Sequence, residues 1–188
     1  ELSPVTLGYI TTEDMPAASR QWAQYEQQLK EFDYDRLSED NRLTLDMLLL
    51  YYNTRQSLGS SFLLEEPLSP SLGIQAQLPV LLAEYTFYDT GDISDYSSLL
   101  NCVPDYFQSI LEFEQEKSQA GCFMSDATLE RILEQCQSFV QDPSYMTEVF
   151  AEKLEKFSSL KKKDREELLE KHEEILENRM VPAYQNLM

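Results

Sequence analysis

One histidine, one tryptophan, five glycines and three cysteines are all that 188 residues offer of the types from which many sites are built. A single imidazole leaves no pair of histidines for a metal. Five glycines and eight prolines leave few places for the tight turns of an all-β fold, so helices are favoured before any pattern is read. Cys102, Cys122 and Cys136 are odd in number and lack C-x-x-C spacing, which argues against a zinc knuckle and a disulfide framework. Cys102 follows Leu99 and Leu100, and Cys136 lies four residues after Ile132, so both read as small core residues. No apolar run approaches the roughly 18 residues that span a bilayer, and no membrane insertion by this segment is expected. No G-x-S-x-G elbow, Walker loop or G-x-G-x-x-G fingerprint occurs.

Basic residues are scarce too. Fifteen Lys/Arg face 34 Asp/Glu, a net charge of -19, of which -18 falls in the first 150 residues. Such a surface repels phosphate backbones and anionic headgroups, so no nucleic-acid partner is expected. Solubility is one explanation of the excess, and steering of a cationic peptide or partner is the other.

What is present is a series of capped helical patterns. Thr11 and Thr12 before Glu13 and Asp14 predict a helix start, and Trp22, Tyr25 and Leu29 predict its buried stripe. Ser38 caps a second helix, apolar through Leu43, Met47, Leu50, Tyr51 and Leu58 on one side and Leu45, Leu48, Leu49 and Tyr52 on the next. That width predicts a central helix touched on more than one face. Thr90-Gly91-Asp92 reads as a turn before a helix that Pro104 interrupts, and Gly121 closes the helix that follows. Ser125 caps a helix to about Gln141, Asp142-Pro143 ends it, and another runs from Met146 to about Phe157. Lys161 to Met188 reads as one long helix with exposed charge. The expected fold is therefore all-α, an irregular multi-helix bundle of about seven or eight helices around the helix from Ser38 to Leu58. Residues 1–188 read as a single helical domain.

Pro67 to Tyr85, PLSPSLGIQAQLPVLLAEY, stands apart, with no charge from Pro67 to Ala83 and three prolines. Its second half, from Gln75, suits a helix with Pro79 near the first turn. One reading makes it a core plug. The other has Gln75 and Gln77 present amide groups to a groove, lining a substrate cleft by orientation rather than catalysis.

Catalytic and metal candidates fail on spacing. His172-Glu173-Glu174-Ile175-Leu176 begins like an H-E-x-x-H zinc helix, but Leu176 occupies the position of the second imidazole, so His172 reads as part of a solvated helix. Acid pairs such as Glu65-Glu66 or Glu112 with Glu116 are what 34 acidic residues produce by chance. No catalytic residue, metal ligand or cofactor is expected in this chain.

Leu37 to Asp46, LSEDNRLTLD, resembles the L-S-x-x-N-R-L-T-x-D helix of the bacterial family catalogued as domain of unknown function 885, DUF885. Pro67 to Tyr85 is similar to that family's N-terminal signature, and Val103 to Lys117 and Ala120 to Ser125 resemble its next two blocks, in the same order. The resemblance implies a large helical protein of the H-E-x-x-H zinc metallopeptidase type, with zinc ligands and general base in a C-terminal half outside this sequence. It implies that the chain is the N-terminal part of a longer protein, with the rest of the parent chain and a peptide substrate as partners. It also implies an exported, lipoprotein-like, extracytoplasmic location. A stand-alone acidic helical module that captures a basic partner is the alternative. An apolar patch exposed on such a fragment predicts a homodimer.

Overall fold

The computed structural model describes residues 5–11, 15–57, 59–157 and 160–188, so the helix start expected at Thr12, Glu13 and Asp14 lies outside the described residues, as does Leu58. The fold is all-α. Its helices are α1 (Met15–Lys30), α2 (Glu39–Ser57), α3 (Ile74–Glu84), α4 (Thr90–Gln119), α5 (Asp126–Gln141), α6 (Ser144–Glu155), α7 (Lys162–Ile175) and α8 (Val181–Leu187), with a π-helical stretch at Leu176–Met180 between the last two. The chain forms two compact units, one of Thr11–Glu65 and one of Glu1–Ile10 with Glu66–Met188.

In the smaller unit α1 and α2 form an antiparallel hairpin. Tyr25 meets the Tyr52 ring at 5.7 Å and Gln56 donates to Glu26 at 2.7 Å. The turn between the helices is clasped by the first residues of α2. Ser38 Oγ accepts from the Asn41 N–H, Arg42 donates to the carbonyls of Tyr34 and Asp35 at 2.9 and 2.7 Å, and the Tyr34 hydroxyl donates to Asp46. The expected stripe on α1 is only partly covered, since Trp22 and Leu29 are half-buried and Tyr25 is exposed. The expectation for α2 is also corrected. Leu45 is its sole buried residue, so it is not the helix around which a core is built.

That place belongs to α4, in the larger unit. Leu100, Val103, Phe107 and Ile110 have no exposed surface and form the spine of a core that takes in Leu78 and Leu82 of α3, Cys136 of α5, Phe150 of α6 and Tyr184 of α8. Pro104 does not interrupt this helix as expected. Burial of Val103 and Phe107 on either side outweighs the roughly 3 kcal/mol that an interior proline costs, and α4 runs for 30 residues. Both ends are closed by sequence-specific devices. Asp89 Oδ1 accepts from the Gly91 and Asp92 N–H groups while Asp92 Oδ2 accepts from the Asp89 N–H, a reciprocal cap. Gly121, at φ 74°, lets the Cys122 N–H return to the Lys117 carbonyl at 2.8 Å. Ser125 caps α5 through the Thr128 N–H, as its sequence predicts.

The C-terminal helix is continuous but not simply exposed, which revises the sequence expectation. Its charged side faces outward, with pairs such as Lys163 and Glu167 at 3.2 Å, while Ile175, Leu176, Met180, Ala183, Tyr184 and Leu187 are buried. His172, Leu176, Met180 and Tyr184 recur every four residues, slower than the 3.6 of an α-helix. The wide turn at Leu176–Met180, where the Val181 N–H reaches the Leu176 carbonyl, keeps that row on the core side.

Replacing Asp89 with Ala should remove one half of the reciprocal cap and cost about 1 kcal/mol, a drop of roughly 2–4 °C in thermal midpoint for a chain of this size. Thermal unfolding followed by circular dichroism reads this directly. An unchanged midpoint would mean that the cap does not hold α4.

Candidate functional site

The uncharged segment from Pro67 to Tyr85 folds as a turn at Ser69–Leu72 followed by α3. The helix begins at Ile74, and Pro79 falls in its middle rather than its first turn. A proline there has no N–H for the Gln75 carbonyl four residues back. The Tyr184 hydroxyl of α8 supplies the missing donor, at 2.7 Å and fully buried. Burial also pushes the Tyr184 phenol well above its usual pKa, so it stays protonated and able to donate.

The two ends of α3 are held in the same manner. At its start, Gln75 Nε2 donates to the Ser69 carbonyl at 2.7 Å and to Gln135 Oε1 at 2.8 Å, while Gln135 Nε2 donates to the Pro70 carbonyl at 2.8 Å. The Gln75 Oε1 atom is buried against Gly73 without a hydrogen-bond partner. A Cβ on Gly73 would lie 2.1 Å from it and 2.2 Å from the Ser69 nitrogen, so only glycine fits. At the C-terminal end, the Lys153 ammonium of α6 donates to the carbonyls of Ala83 and Tyr85 and sits 5.2 Å above the Phe87 ring. Desolvation lowers its pKa. A cation at the last carbonyls of a helix is favourably placed against the helix dipole.

The structure thus separates the two glutamines singled out from sequence. Gln75 is 2% exposed and faces inward, whereas Gln77 is half-buried on the side that carries the exposed Val80 and Leu81. Two residues along a helix turn the side chain by about 200°, so the pair cannot share one face.

His172 is not part of a solvated helix, which corrects the sequence reading. It is 3% exposed and stacks on Phe150 at 4.3 Å and on Tyr96 at 5.7 Å, with Nε2 3.1 Å from the Tyr96 hydroxyl. Its Nδ1 is buried without a partner, and burial lowers its pKa to about 4, so the ring is neutral near pH 7. Glu114 and Lys117, one turn apart on α4, are likewise buried, with oxygen and nitrogen 3.4 Å apart. Desolvation raises the Glu114 pKa and the neighbouring ammonium opposes that. Burial pushes the Cys136 thiol up to about 11, which leaves it unreactive. Among the described residues no group of three or more His, Cys, Asp or Glu side chains is placed to hold a metal ion.

A model of the family described as a bacterial protein of unknown function, DUF885, matches residues 6–188. The chain belongs to that family. No curated protein matches the sequence. Among solved structures, a protein described as a "putative lipoprotein" from Colwellia psychrerythraea superposes with a TM-score of 0.75 at 15% identity, covering 95% of this chain and 33% of that one. The chain therefore spans about a third of the length of that protein, and the likeness is one of fold. Within the DUF885 chain, two of the four blocks that carried the resemblance prove to be fastenings: Ser38, Arg42 and Asp46 clasp the α1–α2 turn, and Pro67 to Tyr85 is tied down by Gln135, Lys153 and Tyr184. Sequence reasoning missed Gln135, Lys153 and Tyr184, because each acts on a segment at least 60 residues away.

Two outcomes are expected. Tyr184→Phe leaves the Gln75 carbonyl buried and unpaired and should cost about 1–3 kcal/mol in urea unfolding. Pro79→Ala restores the helical N–H, so the same Tyr184→Phe change in that background should cost measurably less. For His172, the unfolded ring takes up its proton near pH 6.5 and the folded ring only near 4. Its contribution is complete above about 6.5 and fades as pH falls to 4, a loss of about 3 kcal/mol at most. His172→Phe should flatten that part of the stability profile, and an unaltered slope would show that the ring titrates freely.

Proposed function

We propose that this chain is the N-terminal, non-catalytic helical region of a longer zinc-metallopeptidase-like protein of the DUF885 family, contributing scaffold and one wall of a substrate cleft. The observation that carries the reading is one of extent: the chain follows a solved protein over 95% of its own length while accounting for 33% of that protein. The peptidase chemistry rests on the family resemblance, which sets the zinc ligands and general base outside these residues. The wall is the outer side of α3, where Gln77 sits with Val80 and Leu81 and can offer an amide beside apolar contact to an extended peptide. Gln75 serves from behind, fixing the position of the helix without touching substrate. The description of the structural neighbour as a "putative lipoprotein" supports an extracytoplasmic location.

The test is to express the full reading frame beside this chain and measure zinc content and hydrolysis of a mixed peptide pool. Zinc and hydrolysis are expected in the long form alone. Gln77→Ala in that form should raise KM up to about tenfold, the worth of one hydrogen bond, with zinc content unchanged. A metal-free, inert long form would overturn the peptidase reading and favour the acidic module, whose net charge of -19 suits a basic partner.

A further inference from the structure

The helix α2 is apolar on more sides than its own unit covers. Leu45, buried at 6%, and the half-buried Leu49 and Tyr52 lie on the side that meets α1. Leu43, Met47 and Leu50 recur at i, i+4 and i+7 on the opposite side, and they are 62%, 63% and 70% exposed. Three adjacent large apolar side chains exposed in one row are more than solubility tolerates at random, and a helix apolar on both sides is the signature of one packed on both.

We infer that the Leu43–Met47–Leu50 stripe is a docking face for an apolar helical surface from the part of the longer protein that lies outside these 188 residues. The inference rests on the reading of the chain as one region of a larger protein. Two observations select this occupant over a second copy of the chain. About two thirds of the solved protein that the chain follows has no counterpart here, which is ample chain to supply a partner surface. Two copies would also each bring a net charge of -19, and their mutual repulsion opposes a dimer. A covalently linked region approaches the stripe at high effective concentration and needs no self-complementary patch.

Hydroxyl-radical footprinting of Met47, Leu43 and Leu50 in the 188-residue chain and in the full-length protein tests this. Met47 should label freely in the short chain at every concentration and several-fold more slowly in the long one. Leu50→Lys should leave the thermal midpoint of the short chain unchanged and lower that of the long one. Equal labelling in both forms would overturn the inference. So would protection in the short chain that grows with concentration, which would assign the face to a second copy. Zinc and hydrolysis measured on the same samples separate the two readings. A long form that protects Met47 but lacks zinc sinks the peptidase proposal and supports this one, and an active zinc protein with Met47 still exposed does the reverse.

Discussion

A single carbonyl sets much of the architecture of the larger unit. Pro79 leaves the Gln75 oxygen without a helical donor in a place that water does not reach, and an unpaired buried carbonyl costs on the order of 1–3 kcal/mol. The donor comes from Tyr184, 109 residues along the chain. For that phenol to arrive at α3, the C-terminal helix must lie against α4 and α5 and keep its buried row in register for about three turns. The wide turn at Leu176–Met180 supplies that register. Packing follows from the same demand: the Tyr184 ring lies between Phe107, at 4.9 Å, and Phe139, at 4.2 Å. One polar requirement in α3 is thereby met by a side chain whose apolar body fills the core.

The rest of the Pro67 to Tyr85 segment follows the same logic. At both ends backbone carbonyls are taken by long polar side chains from other helices, that of Pro70 by Gln135 at the turn and those of Ala83 and Tyr85 by Lys153 at the helix end. The lack of charge on the inward side of the segment now has a cause. A charged residue facing inward would bury an ion beside carbonyls already occupied, whereas amides can donate and accept in one place. The unpaired Gln75 Oε1 above Gly73 is the one atom left over, and it marks how tightly the turn is drawn.

How much of this was legible depended on whether the signal was local. Ser38, Gly121 and Ser125 were readable because a cap is satisfied within four residues of itself. Pro104 misled because its cost is local while the compensating burial of Val103 and Phe107 comes from other helices. His172 was hidden by Lys171, Glu173 and Glu174 around it, although Leu168, His172, Ile175 and Leu176 already form an i, i+4, i+7, i+8 row that a search for the buried face would have caught. The separation of Gln75 from Gln77 was unreadable for another reason. Until Pro79 is known to sit inside a helix, nothing fixes the angle between them. The exposed Leu43, Met47 and Leu50 show the converse, since the width of the apolar surface on α2 was legible while the core it was expected to centre is built around α4.

Rigidity is the property that joins these features to the role proposed for α3. A wall that orients a substrate is useful to the extent that its own side chains do not move, because disorder in the site is lost as binding free energy. The α3 helix is short, 11 residues with an interior proline, and on intrinsic propensity it would be marginal. It is instead fixed at its start, middle and end by three other helices, which leaves its outer side, with Gln77, Val80 and Leu81, as the only part free to meet anything else. Pro79 is itself buried, so its ring adds apolar surface to the core while its missing N–H leaves the Gln75 carbonyl to the Tyr184 hydroxyl. The proline makes α3 dependent on Tyr184, and so couples the placement of its outer side to the C-terminal end of the same unit.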